Sequence, residues 1–252
     1  MSQSKVILVT GASRGIGLAI ARYLLDQSSK VVLVARSEQP LRELESRYHD
    51  QVAVVTGDLA DLDLGKSAVD TALQKWQKLD GVIVNHGVLD PVARVADSTA
   101  ADWRQAFDVN FISAVALAQA AIPALRQSKG SILFTSSGAA TSHYQTWGAY
   151  GAAKAAMNHL AGTIGSEEKD IVSLSIRPGV VDTEMQQDIR EKHHGVMDAS
   201  DAAKFAELKK SGGLLKPEQP GHVMAKLILD PPKDLSGKFL TWNAEELRAY
   251  QA

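Results

Sequence analysis

Short apolar runs alternate along the chain with segments of helical periodicity, and this alternation constrains the fold more than any other feature. The first run, KVILVT at 5–10, is continuous and rich in β-branched residues, as in a strand that is buried on both faces. The predicted strands are 5–10, 30–35, 51–56, 79–85, 131–136, 171–176 and 237–242. The predicted helices are 17–27, 38–48, 62–78, 100–127, 148–167 and 216–230. Such alternation predicts an α/β fold with a doubly wound parallel sheet and right-handed crossovers.

The alternation weakens after Gly179. Residues 184–213 are polar and helix-prone, and HHG and SGG interrupt them. An irregular excursion inside a regular sheet fold is usually a lid or substrate loop, although a plain surface insertion fits the sequence about as well. No repeat or low-complexity linker divides the 252 residues, so we expect one domain over 1–252.

The composition argues against several classes of protein. Hydrophobic residues make up 45% and charged residues 22% of the chain, the balance of an ordinary globular protein. There is no cysteine, which excludes disulfides and thiolate chemistry. The net charge of −2 argues against a nucleic acid or an anionic membrane as the partner. No apolar run has the length of a membrane span or a signal peptide, so we expect a soluble, cytoplasmic protein.

A glycine-rich turn, TGASRGIG at 10–17, joins the first predicted strand to the first predicted helix. Glycine allows a tight turn and a close approach of the backbone to a pyrophosphate, and the helix N-terminus then faces the phosphates. The spacing of Gly11, Gly15 and Gly17 is not G-x-G-x-x-G, and no Lys-Ser/Thr pair follows as in a P-loop. The context still predicts a dinucleotide site, with a glycine-rich turn that binds nothing as the alternative.

A tyrosine and a lysine, Tyr150 and Lys154, lie four residues apart in the predicted helix 148–167. This spacing places both side chains on one helix face. A phenol is a poor acid at neutral pH, with a pKa near ~10, and a neighbouring ammonium group stabilises its phenolate. The pair is therefore a candidate proton donor with a group that lowers its pKa, unless both residues simply lie on a solvated helix face.

These motifs and several shorter ones, taken in order, resemble the short-chain dehydrogenase/reductase family. The resemblance covers nearly the whole chain and rests on T-G-x-x-x-G-x-G at 10–17, Asp58-Leu59, Asn85-His86-Gly87, Asn110, Ser137, Tyr150-x-x-x-Lys154, and Pro178-Gly179 with Thr183. One departure is His86, because the family more often has alanine there. The stretches SSGAATSHYQTWGAYGAAKAAMNHLAGTIGSEE and IRPGVVDTEMQQDIRE look like benzil reductases that form (S)-benzoin, which are in turn similar to sepiapterin reductases.

The resemblance implies a Rossmann-type sheet of about seven strands in the order 3-2-1-4-5-6-7, and hydride transfer between a nicotinamide and a carbonyl. By the family's pattern, Tyr150 donates the proton, Lys154 lowers its pKa and holds the nicotinamide ribose, and Ser137 orients the carbonyl. Asn110 would hold a water that links Lys154 to solvent as a proton relay. Two alternatives stay open, because Ser136 could supply the active hydroxyl and Asn110 could simply satisfy backbone groups.

The cofactor that the resemblance implies is NADP(H). Arg36 stands where an NAD-specific site would carry an acidic residue for the ribose 2′-hydroxyl, and Arg14 in the glycine turn would approach the same phosphate. The expected cofactor site comprises Gly11, Ser13, Arg14, Gly15, Ile16, Gly17, Arg36, Ser37, Asp58, Leu59, Asn85, His86, Gly87, Tyr150, Lys154, Pro178, Gly179, Val181 and Thr183.

The expected substrate pocket combines Ser137 with Tyr144, Trp147 and Met185, although core packing explains any one of the last three as well. No lysine or arginine lies between Ser137 and Lys154, so nothing there selects a carboxylate or a phosphate. We therefore expect a ketone or vicinal diketone that carries an aromatic group, with the reduction of benzil to (S)-benzoin as the test case.

The leading hypothesis is an NADPH-dependent carbonyl reductase. An NAD-dependent alcohol dehydrogenase of the same family is one alternative, and a nucleotide-sensing regulator without catalysis is another, although such a regulator would be expected to lose Tyr150, Lys154 or Ser137. A sugar epimerase fits the glycine spacing less well. No histidine pair has a metal-ligand spacing, so we predict no metal site. The polar C-terminus favours a monomer, or a homodimer through 100–127 and 148–167, over a tetramer.

Overall fold

One parallel sheet organises the structure, a computed structural model that describes residues 4–251. Its seven strands lie in the order β3-β2-β1-β4-β5-β6-β7, and every neighbouring pair is parallel. The strands are β1 Val6–Thr10, β2 Lys30–Ala35, β3 Val52–Thr56, β4 Gly81–Val84, β5 Ser131–Thr135, β6 Val172–Arg177 and β7 Phe239–Thr241. The predicted Rossmann-type fold and strand order are confirmed.

Helices connect the strands and cover the sheet. In the described part of the chain they are α1 Gly15–Asp26, α2 Gln39–Tyr48, α3 Asp63–Trp76, α4 Ala100–Phe107, α5 Ser113–Ser128, α6 Gly148–Glu167, α7 Glu184–Asp188, α8 Ala199–Lys210, α9 Glu218–Leu229 and α10 Arg248–Gln251.

The hydrophobic core lies on both faces of the sheet. Every residue of β1 is buried, and its side chains alternate between the two faces. Ile7 packs in the cluster that holds Leu24 of α1, whereas Leu8 packs in the cluster that holds Leu117 of α5. A strand with a core on each side needs apolar residues at every position, which is why the central strands are continuous apolar runs in the sequence.

The predicted helix over 100–127 is not one continuous α-helix. α4 and α5 are joined by a π-turn, Asp108–Ile112. Within it, the Asn110 amide donates to the Ala106 carbonyl at 2.9 Å, and the Ser113 hydroxyl donates to the Val109 carbonyl at 2.7 Å. These side-chain bonds engage carbonyls four residues earlier and so compete with the regular backbone pattern, a local arrangement that is frequent at functional sites.

Residues 184–213 are more regular than the sequence suggests. They form α7, a π-turn at Ile189–His193, and α8. The Asp198 side chain accepts from the Ser200 backbone amide at 2.9 Å and so caps α8. The segment packs over the carboxyl end of the sheet through Ile189, Met197 and Phe205.

The helical stretch Ala100–Ser128 is long and apolar enough to cross a membrane by length and composition alone. Core helices of globular proteins pass the same test. Here Leu117, Ala121 and Leu125 of α5 are buried in the core beside the sheet. The apolar composition of this stretch is therefore explained by packing.

The carboxyl ends of the central strands meet at one edge of the sheet. β1 and β4 are neighbours there, and the strand order reverses between them, which opens a crevice in folds of this type. Gly11 follows β1, Asn85 follows β4, and Ser136 and Pro178 follow β5 and β6.

Candidate active site

A cleft of about 820 Å³ opens at this carboxyl edge. All the site residues that the sequence predicts line the cleft, except Gly17 and Asn110. Gly17 lies beneath the glycine turn, and Asn110 is buried in the π-turn. The topology therefore brings together motifs that are spread from residue 11 to residue 185 of the chain.

The glycine turn leaves room for a ligand beside the backbone. Gly11 and Gly15 adopt φ values of +63° and +53°, which disfavour any other residue. A Cβ on Gly17 would press against the Gly11 carbonyl and lie 2.6 Å from the Asn85 side-chain nitrogen, so only glycine fits there. A Cβ on Gly15 would meet the Thr183 methyl at 3.1 Å. The turn thus forms a bare backbone cradle at the N-terminus of α1, which fits the pyrophosphate of a dinucleotide.

The candidate proton donor, Tyr150, is buried in α6, with 7% of its surface exposed. Burial raises the pKa of Tyr150 above the ordinary phenol value, and a hydrogen bond with Ser137 lowers it by a smaller amount. The lowering predicted from the neighbouring Lys154 is therefore not found: burial sets the direction of the pKa shift, and the smaller opposing contribution comes from Ser137. A phenol with a raised pKa stays protonated at neutral pH, as a proton donor must.

The lysine is held one turn further along α6. Its ammonium group donates to the Thr135 carbonyl at 2.8 Å and lies 5.7 Å from the centre of the Tyr150 ring. Burial lowers the pKa of Lys154 to about 8. At neutral pH the site therefore holds a buried positive charge beside the phenol.

The geometry favours Ser137 over Ser136 as the active hydroxyl. Both serines line the cleft, but the Ser137 hydroxyl hydrogen-bonds Tyr150 and accepts from the Ala139 backbone amide at 3.1 Å. The Ser136 hydroxyl is fully enclosed and has no hydrogen-bond partner among residues 4–251. An oxygen that is sealed off from the cleft is poorly placed to contact a substrate.

The Asn110 side chain forms hydrogen bonds with backbone groups, which was the alternative to its role in a proton relay. The side-chain amide donates to the carbonyls of Val88 and Ala106, and its oxygen accepts from the Val88 amide at 2.9 Å. These bonds fix the loop after β4 to the π-turn. A water relay at Asn110 stays a prediction.

A hydrogen-bond network links the ends of three strands beneath the cleft. The Thr135 hydroxyl of β5 donates to the Asn85 side-chain oxygen at 3.0 Å. The Asn85 side-chain nitrogen then donates to the carbonyls of Thr10 and Gly11, at 3.3 and 3.4 Å. Because the Thr135 carbonyl also holds Lys154, the network joins the glycine turn to α6.

His86, the departure from the family's pattern, extends this network to the π-turn. Its Nδ1 lies 2.8 Å from the Thr10 hydroxyl, and its Nε2 lies 2.8 Å from the Ser113 hydroxyl. Since Ser113 donates its proton to the Val109 carbonyl, it accepts from His86, and these partners assign the neutral imidazole with hydrogen on Nε2. Burial of the ring, with a smaller contribution from Lys154, lowers the pKa of His86 to about 3.

We expect His86→Ala to lower the free energy of unfolding by about 1–3 kcal/mol, because two hydrogen bonds are lost and their partners stay enclosed. The pKa of His86 is lower in the folded protein than in the unfolded chain, so acid favours unfolding between about pH 6.5 and 3. The variant should lose that part of the acid sensitivity. Thermal unfolding at pH 7 and pH 4.5 measures both effects, with exposed His143→Ala as the control. Equal stability of the two variants at pH 7 would show that the hydrogen bonds of His86 to Thr10 and Ser113 do not stabilise the fold.

Arg14 and Arg36 both line the cleft, and each pairs with a carboxylate. Arg14 forms an ion pair with Glu184 at the start of α7, and Arg36 lies 3.9 Å from Asp58. All four side chains are at least half exposed, so these pairs add little to stability. Both guanidinium groups lie at the cleft near the glycine turn, each beside a carboxylate that offsets its charge.

Aromatic side chains form the other wall. The Trp147 ring meets the Tyr150 ring edge to face, with centres 6.2 Å apart, and Tyr144 lies 4.8 Å from Trp147. Met185 packs against the same cluster. Phe205 of α8 also lines the cleft, and sequence reasoning missed it. The available signal was one aromatic residue within the polar segment ASDAAKFAELKK.

No group of three or more histidine, aspartate or glutamate side chains within 4–251 is arranged to hold a metal ion. A family model for the short chain dehydrogenases matches residues 5–194. The chain belongs to the short-chain dehydrogenase family. The chain is thus an oxidoreductase of a family that uses nicotinamide cofactors.

Curated members of the short-chain dehydrogenase family align along nearly the whole chain. An uncharacterised oxidoreductase of Schizosaccharomyces pombe is 44% identical, over 95% of this chain and 97% of its own. A benzil reductase of Saccharomyces cerevisiae that forms (S)-benzoin is 40% identical, over 98% and 99%. The crystal structure of a Saccharomyces cerevisiae short-chain dehydrogenase/reductase superimposes with a TM-score of 0.96 at 39% identity, over 99% of this chain and 100% of that one.

Proposed function

We propose that the protein is an NADPH-dependent carbonyl reductase that acts on ketones or vicinal diketones. The observation that carries this proposal is the meeting of Ser137, Tyr150 and Lys154 in one cleft beside a glycine cradle. A buried phenol that stays protonated, a hydroxyl bonded to it and a nearby ammonium group are the parts that proton transfer to a reduced carbonyl needs.

Bound NADPH would supply the hydride. Its pyrophosphate would lie against Gly11 and Gly15, where the bare backbone and the start of α1 face the cleft. Lys154 would hold the nicotinamide ribose while it continues to donate to the Thr135 carbonyl.

The protein's own groups would complete the reaction at the carbonyl oxygen. Ser137 and Tyr150 would both hydrogen-bond that oxygen, and Tyr150 would then release its proton to it. The resulting phenolate would be stabilised by the Lys154 ammonium group. A water held near Asn110 would return the proton, in the role that the family's pattern assigns to this residue.

The cofactor preference is expected to depend on Arg36. Because a hydrogen bond to a charged group is worth roughly 1.5–3 kcal/mol, Arg36→Asp should weaken NADPH binding by about tenfold to a hundredfold and shift the preference toward NADH. Fluorescence titration with each cofactor measures the change. Arg22→Asp makes the same charge change on α1 outside the cleft and serves as the control. Equal kcat/KM with both cofactors in the unaltered protein would contradict the preference.

The proposed substrate is a diketone or ketone with an aromatic group. Trp147, Tyr144 and Met185 offer a flat apolar wall beside Tyr150. The similarity to a benzil reductase supports the same substrate class. One carbonyl of a diketone can contact Ser137 and Tyr150 at a time, so we expect the reduction of benzil to stop at one enantiomer of benzoin.

The deciding experiment measures NADPH consumption with a panel of diketones, aryl ketones, pteridines and charged keto acids, and resolves the benzoin produced by chiral chromatography. Rapid turnover of benzil to (S)-benzoin would support the proposal. Racemic benzoin, or turnover of charged keto acids without benzil, would overturn the substrate class. Activity with NADH and simple alcohols alone would favour an alcohol dehydrogenase instead.

We further propose that the enzyme works in the cytoplasm on a small-molecule substrate, without a nucleic acid, membrane or metal partner. The absence of cysteine and the net charge of −2 support this. The edge strand β7 has three residues and is followed by α10, which leaves a short edge for assembly. We expect light scattering to show a monomer, or a dimer through α4, α5 and α6; a stable tetramer would contradict this.

A further inference from the structure

The second helix of the 184–213 segment places one aromatic side chain inside the cleft. Phe205 of α8 is 3% exposed and lines the cleft, although most of its helix faces solvent. Its ring stacks on Trp147, with centres 5.5 Å apart and planes inclined by 14°. This near-parallel contact covers one face of the tryptophan that also meets Tyr150.

The stacked rings connect α8 to the candidate proton donor, Tyr150. Phe205 touches Trp147, and Trp147 meets Tyr150 edge to face at 6.2 Å. Tyr144 lies 4.8 Å from Trp147 and 6.1 Å from Phe205, so it closes the side of the stack. These four rings form a continuous wall of the cleft.

Polar contacts on the outside hold α8 in this place. The Lys204 ammonium group lies 5.4 Å over the Tyr144 ring and 5.9 Å over the Phe205 ring. The Gln145 amide donates to Asp198, the cap of α8, at 3.3 Å. The Phe205 ring therefore contacts Trp147, Tyr144 and Lys204.

We infer that Phe205 determines substrate specificity, because it closes the cleft beyond Trp147 and limits the size of the group that a ketone can carry. The inference rests on the proposed carbonyl-reductase function. A benzyl group at this position occupies space that a larger aryl group of the substrate would need. Leu208, one turn along α8, packs in the same cluster but does not line the cleft, so it serves as the matched control.

The test compares kcat/KM with NADPH for benzil and for its larger dinaphthyl analogue. Phe205→Ala should raise the ratio of the dinaphthyl value to the benzil value by roughly tenfold or more, the usual scale for a change in the fit of an apolar pocket. Phe205→Leu should move the ratio in the same direction by less. Leu208→Ala should leave it within about twofold, even if it lowers the thermal stability.

An unchanged ratio in the folded Phe205 variants would overturn the inference, and so would an equal shift in Leu208→Ala, which would indicate a general loosening of α8. Phe205→Leu keeps an apolar side chain and decides the question if the alanine variant does not fold. Failure of the proposed function gives a different result, because the unaltered protein would then consume no NADPH with any carbonyl compound. In that case the inference falls with it.

Discussion

Replacing Tyr150 with phenylalanine is expected to lower the turnover number by about 10²–10⁴-fold and to leave cofactor binding within about twofold. The phenol would be the proton donor, and its ring packs edge to face on Trp147, a contact that phenylalanine keeps. The change therefore removes one hydroxyl and little else. Single-turnover rates and NADPH titration separate the loss of chemistry from any loss of binding.

Tyr48→Phe provides a matched control for this prediction. It removes a hydroxyl that bonds Asp26 at 2.6 Å, outside the cleft. This variant should retain the turnover of the unaltered protein. A Tyr150→Phe variant with near-normal turnover would mean that Tyr150 and Lys154 are structural residues.

Lys154→Met is expected to lower turnover at least as far as Tyr150→Phe, by about 10²–10⁴-fold, and to weaken NADPH binding as well. The ammonium group would serve two tasks, since it stabilises the phenolate and would hold the nicotinamide ribose. Lys75→Met is the control, because Lys75 also donates to a backbone carbonyl, that of Val52 at 2.6 Å, but lies outside the cleft. Unchanged NADPH affinity in Lys154→Met would show that Lys154 does not hold the nicotinamide ribose.

The pH dependence of kcat/KM should follow the protonation state of Lys154. Since burial lowers the pKa of Lys154 to about 8, its positive charge is lost as the pH rises through that value. We expect kcat/KM for reduction to fall above about pH 8, and the Lys154→Met variant to lack this inflection. The unfolded lysine keeps its proton to higher pH, so burial of the charge costs stability below pH 8 and this cost disappears as the pH rises toward 10.5.

The central sheet could be predicted because burial on both faces leaves a continuous signal in the sequence. KVILVT needs an apolar side chain at every position, and the glycine turn follows it directly. The edge strand β7 is shorter than the predicted 237–242. Gly237 adopts a φ of +86°, which does not fit an extended strand, and the observed strand is Phe239–Thr241.

Two features of the site lay beyond sequence reasoning because they depend on contacts rather than on periodicity. The π-turn forms where Asn110 and Ser113 donate to carbonyls four residues earlier, yet the apolar periodicity continues on both sides of it. Phe205 meets Trp147 across 58 positions of the chain (205 − 147), with no local pattern to mark the pair. The direction of the Tyr150 pKa was missed for a similar reason, since the degree of burial of a helix face is a tertiary property.

The hydrogen-bond network beneath the cleft also offers no path for proton transfer. From Lys154 it runs through the Thr135 carbonyl, the Thr135 hydroxyl and the Asn85 side-chain amide, and neither the carbonyl nor the amide passes a proton on. At its far end, the neutral ring of His86 donates to Ser113, whose own proton is committed to a carbonyl. In the proposed reaction, a proton released by Tyr150 would therefore not be replaced through this network. The proton would instead have to come from water, the role proposed for a water near Asn110, so closure of the cleft would have to leave a path from that water to solvent.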